Sequence, residues 1–132
     1  MAFLVGVLLA VTVGLFATTV GLDRDRAFYP TVTIVIAFLY VLFAAIGAST
    51  QVLLVEALAG SVFAAGAVWG FKSSLWIVVV PLAGHGLFDL VHAQFITNPG
   101  VPVFWSAFCG AYDLVAGGYL AWLLKTGRVR AA

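Results

Sequence analysis

The chain has 132 residues, 64% hydrophobic and only 8% charged, and a mean hydropathy of +1.19, far from the globular balance of about 25% charged residues. These values exclude a soluble enzyme and define an integral membrane protein in which a single transmembrane domain fills residues 1–132. The net charge of +1 gives no reason to expect a nucleic-acid partner, and the single cysteine, Cys109, excludes an intramolecular disulfide.

Residues 2–21 carry no charge and, at about 1.5 Å per residue, are long enough to cross a bilayer core of about 30 Å. No basic segment precedes this run, and it is longer than a signal-peptide core, so it is expected to remain as a span. Asp23-Arg24-Asp25-Arg26 ends it, the arginines serving as topology anchors expected to pair with the two aspartates. Phe28-Tyr29-Pro30 leads into a second span over 31–48, with Tyr29 suited to the membrane interface. The small, polar turn Gly47-Ala48-Ser49-Thr50 leads to a third span over 51–71, and its brevity makes the two helices antiparallel neighbours. Lys72-Ser73-Ser74 precedes a fourth span over 75–96, Thr97-Asn98-Pro99-Gly100-Val101-Pro102 precedes a fifth over 103–124, and the tail from Lys125 is basic.

Five spans place the loops after spans one and three on the same side as the tail. All six basic residues lie in these three segments, so the positive-inside rule predicts an outside N-terminus and a cytoplasmic C-terminus. A four-span arrangement breaks that agreement. The expected fold is therefore an all-α bundle of five transmembrane helices in the inner (plasma) membrane.

Five ionisable residues fall inside the spans: Glu56, His85, Asp89, His92 and Asp113. Each costs about 2.5–3.5 kcal/mol to insert, so such groups face a bundle interior or a water-filled cavity. Residues 85, 89 and 92 share an arc of about 60° on one helix. Counting the helical rise sets His85 and Asp113 near the midplane, Glu56 level with Asp89, and His92 close to the outer interface. Small residues beside them, Gly60, Gly84, Gly86, Gly110 and Gly117, allow close helix approach. The expectation is a pocket among the third, fourth and fifth helices, open outward, closed by Tyr40 and with the Asn98–Pro102 turn at its mouth. Pro81 is expected to kink the fourth helix.

Histidine and carboxylates form a transition-metal ligand set, so His85, Asp89 and His92 are candidate ligands for a divalent metal, zinc or iron. Glu56 and Asp113 are then the candidate catalytic carboxylates. His85 and His92 lie about 10.5 Å apart along the axis, which strains shared binding of one ion. That favours either His85 with Asp89 and Asp113, or His92 with Glu56. Asp89 bonded to His85 purely as helix glue is an equally simple reading, and Cys109 reads as a packing residue. Haem is disfavoured, because one stripe on one helix cannot flank an iron on both sides.

His85-x3-Asp89-x2-His92, Asn98-Pro99 and Cys109-x3-Asp113 together resemble an uncharacterised family of small bacterial integral membrane proteins with a comparable His, Asp, His helix, Asn-Pro turn and Cys, Asp helix. The resemblance covers about residues 84–114. The site is more loosely similar to intramembrane hydrolases of the alkaline-ceramidase and adiponectin-receptor type, whose seven helices hold zinc with three histidines; this chain has two histidines and five spans. The resulting expectation is a metal-dependent enzyme acting on a lipid-like or small amphipathic substrate. The same polar residues also suit a proton-coupled transporter working as a dimer, or a non-catalytic subunit of a larger membrane complex or homo-oligomer.

Overall fold

A computed structural model describes residues 1–132 as five helices without strands. They are α1 (Ala2–Val20), α2 (Phe28–Gly47), α3 (Thr50–Lys72), α4 (Leu75–Phe95) and α5 (Trp105–Lys125), and each is long and apolar enough to cross a membrane. The chain is an all-α, multi-pass membrane protein. The largest departure from the expected spans is the start of α2, which begins at Phe28 rather than 31. Pro30 sits in its first turn, where the missing N–H has no intrahelical partner to lose. The α2–α3 connection is only Ala48–Ser49, with the Ser49 hydroxyl accepting from Val52 N at 3.3 Å. Helix α4 runs continuously through Pro81, whose ring seats against Gly66 of α3.

Spatial order differs from chain order. α1 packs on α5, α5 on α4, α4 on α3 and α3 on α2, while α2 reaches back to touch α4. Because α1 is apolar all round, its attachment rests on a stripe of small residues: only Gly6, Ala10, Gly14 and Ala17 are buried. Helices α1 and α2, adjacent in sequence, make no extended contact. An apolar groove of about 500 Å³ lies between them, floored by Trp105, Phe108, Cys109 and Tyr112 of α5.

The basic end of the bundle is sealed. Leu75, Val78 and Leu82 of α4 meet Leu120 and Leu123 of α5, all fully buried, and Val129 of the tail packs beneath them. The tail also caps α4, since Leu75 N donates to Ala131 O at 2.8 Å. Arg26, in the left-handed region at φ 70°, donates to Ala131 O at 3.1 Å and Ser73 O at 3.4 Å. The expected pairing of Arg24 and Arg26 with Asp23 and Asp25 does not occur, because every ion pair within 4.0 Å involves a histidine. Asp23 is buried and accepts the Thr18 hydroxyl at 2.7 Å, and Asp25 accepts Ala27 N at 3.1 Å. Local hydroxyl and amide donors satisfy the acids, while the arginine fork reaches carbonyls of two other segments.

At the opposite end the Asn98–Pro102 loop lies flat on α2. A Cβ on Gly47 would stand 2.9 Å from Gly100 Cα, and one on Gly100 would collide with the Phe43 carbonyl oxygen. This backbone-to-backbone contact, open only to glycine, makes the loop a strap across the bundle.

Candidate metal centre

The site is built where α4 and α5 cross. A Cβ on Gly86 would stand 2.9 Å from Gly110 O, and one on Gly110 would stand 3.1 Å from Gly86 O, so the two backbones meet with no side chain between them. That approach brings His85 and Asp89, flanking the crossing on α4, against Asp113 and Cys109, flanking it on α5. His85 Nδ1 donates to Asp113 Oδ2 at 2.8 Å and lies 3.7 Å from Asp89 Oδ2. The Cys109 thiol approaches Asp113 Oδ2 at 3.9 Å. One ligand atom from each of the four residues falls within 4.8 Å of the others, and all four residues are buried. Phe63 closes one side, edge-on to the His85 ring at a centroid distance of 4.9 Å.

This arrangement is short of positive charge. Both oxygens of Asp89 and Oδ1 of Asp113 are buried with no hydrogen-bond partner, and no lysine or arginine lies inside the helical core. Buried polar atoms are nearly always paired, and an orphaned one costs about 1–3 kcal/mol, more when charged. Three such oxygens beside an imidazole and a thiol form a donor set that could hold a metal ion, which would satisfy them at once.

A second polar group lies one turn further along α4. His92 Nε2 donates to Glu56 Oε1 at 2.9 Å, and Asn98 Nδ2 donates to the same oxygen at 2.8 Å and to Tyr40 O at 3.1 Å. The Tyr40 ring stacks on His92 with centroids 3.9 Å apart. Its hydroxyl is buried beside the Asp89 carboxyl group and the Ser106 hydroxyl. Next to this group is a cleft of about 230 Å³ lined by His92, Asn98, Thr97 and Ser106 among others.

The structure therefore divides the residues singled out from sequence into two sets. His85, Asp89 and Asp113 come together; His92 does not join them, because the rise between positions 85 and 92 separates the rings and Glu56 takes its nitrogen. Glu56 is accordingly in the outer set and Asp113 in the inner one, the two groupings that the helical rise favoured. The outer set is completed by α2 and the Asn98 loop rather than by α5. Cys109, read from sequence as packing, belongs to the inner group. Its i, i+4 spacing to Asp113 was the available signal, since that spacing puts both on one helix face.

If the two sets act separately, His92→Ala and Glu56→Gln leave the inner group's metal content unchanged. Glutamine keeps the acceptor for both His92 and Asn98, so Glu56→Gln is expected to stay within about 1 kcal/mol of the parent, whereas His92→Ala removes a buried partner and the Tyr40 stack and costs about 1–3 kcal/mol. Metal analysis together with thermal denaturation in detergent checks both.

No protein-family model, curated protein or solved structure matches the chain.

Proposed function

We propose that His85, Asp89, Cys109 and Asp113 bind a divalent transition metal, zinc or iron, and that the protein is a metal-dependent intramembrane enzyme acting on a lipid-like substrate. The observation that carries the metal assignment is the gathering of one ligand atom from each of His85, Asp89, Cys109 and Asp113 within 4.8 Å, all four residues buried, in a group where three carboxylate oxygens lack a hydrogen-bond partner. A divalent ion held by these four residues would supply Lewis acidity toward a carbonyl or phosphoryl oxygen. His85, held by Phe63 and Tyr40, fixes the geometry of the group. Glu56, whose Oε2 is buried without a partner, is the carboxylate outside the ligand set and serves as proton acceptor.

The lipid-like substrate is supported by the groove between α1 and α2. It opens sideways, where a bilayer would lie, and its floor includes Cys109, so one apolar surface leads from the membrane to a residue of the inner group.

Elemental analysis of detergent-purified protein tests the assignment. Stoichiometric zinc or iron is expected in the parent and is expected to be absent from His85→Ala and Asp113→Asn; metal retained in both variants sinks it. Release of fatty acid or headgroup from labelled phospholipid or ceramide, lost in the same variants, tests the enzymatic half.

A further inference from the structure

We infer that the cleft beneath the Asn98–Gly100 strap is the single aqueous port of the buried centre, through which water and the hydrated divalent cation exchange from one face of the membrane only. Four observations carry this. His92 and Ser106 line the cleft, and each is three residues, about 4.5 Å along its helix, from a member of the inner group, Asp89 and Cys109 respectively. The cleft floor is thus one turn from the centre on both α4 and α5. Between them stands the buried Tyr40 hydroxyl, beside both Asp89 and Ser106, a polar stepping stone from the cleft to the centre.

In the opposite direction the α4–α5 seam is closed. From Leu82 down to Leu75, about 10.5 Å of helix, the side chains facing α5 are fully buried and aliphatic, and Val129 of the tail covers their end. Charge points the same way: all six lysines and arginines belong to the sealed end and repel a cation there, while the port end has none and holds Glu56 behind His92. The identity of the cation rests on the metal assignment above; the port does not.

Cysteine accessibility tests it. The native Cys109 is buried and provides the background. Ser106→Cys, on the cleft wall, and Ala116→Cys, buried one turn beyond Asp113 in the apolar plug, are placed symmetrically about the centre. Thr126→Cys, exposed at the basic end, marks that side. A charged, membrane-impermeant thiosulfonate is added to either face of sealed vesicles. Ser106→Cys is expected to react only from the face opposite the one that labels Thr126→Cys, and Ala116→Cys from neither. Reaction of Ala116→Cys from the Thr126 face, or silence of Ser106→Cys from the opposite face, overturns the port. Thr97→Cys, exposed on the same cleft, replaces Ser106→Cys if that variant fails to fold. In zinc-loaded protein, labelling Ser106→Cys is further expected to slow removal of zinc by a chelator by an order of magnitude, and an unchanged rate counts against the port. Protein that takes up no zinc defeats the metal assignment and leaves the labelling pattern to decide the port by itself.

Discussion

Asp89→Asn is expected to make the metal-free protein more stable and to abolish the stabilisation that added zinc confers. In the unliganded bundle both Asp89 oxygens are buried without a partner, and the nearest potential cation, His85, is already bonded to Asp113. Removing the charge relieves part of a burial cost of about 2.5–3.5 kcal/mol for an intramembrane aspartate, and asparagine keeps the volume. In the parent, a ligand present at about 100 times its dissociation constant adds about 2.7 kcal/mol, a gain the variant forgoes. Thermal denaturation in detergent with and without zinc reads both effects. If Asp89 were helix glue bonded to His85, the substitution would lower stability in both conditions, so the sign in the metal-free sample separates site from scaffold.

The second large effect concerns glycine. Gly86→Ala and Gly110→Ala each force a methyl group against the facing backbone at the α4–α5 crossing, at 2.9 Å and 3.1 Å from a carbonyl oxygen that cannot rotate away. Overpacking of this kind costs about 1–3 kcal/mol. Separating the helices also pulls Asp113 and Cys109 away from His85 and Asp89, so metal affinity is expected to fall with stability. Gly84 and Gly118 provide the contrast within the same two helices. A Cβ at Gly84 meets only Phe63 at 4.0 Å and one at Gly118 meets nothing within 4 Å, so alanine there is expected to be neutral or to stabilise by about 0.5–1 kcal/mol through helix propensity. Four alanine variants measured side by side for melting temperature and bound metal decide this; equal behaviour of all four contradicts the crossing as the device that assembles the site.

Much of this architecture was legible in the sequence because a membrane imposes long-range order on a local signal. Apolar length marked all five helices, and the spacing of His85 and Asp89, with the depth of Asp113, put those three residues together. Other features depend on how each helix rotates about its own axis, which periodicity does not report when a helix is apolar all round. Which face of α5 turns toward α4 is decided by the Gly86–Gly110 contact, and that rotation carries Cys109 into the inner group. The pairing of His92 with Glu56 was one of the groupings the helical rise favoured, but not the Asn98 amide that joins the same Glu56 oxygen, because a helical stripe does not report what a loop brings to it. The tail shows the same limit. Its basic residues gave its side of the membrane but not its packing, since Val129 is buried and the Ala131 carbonyl caps the first turn of α4, more than forty residues earlier in the chain.

The most direct measurement is the X-ray absorption spectrum of the zinc- or cobalt-loaded protein in detergent, compared with that of Cys109→Ser. With a single cysteine in the chain, binding at His85, Asp89, Cys109 and Asp113 predicts one sulfur neighbour at about 2.3 Å beside nitrogen and oxygen neighbours at about 2.0–2.2 Å, the sulfur vanishing in the variant. A shell of light atoms alone in the parent, or a sulfur shell that survives in Cys109→Ser, contradicts the centre described here.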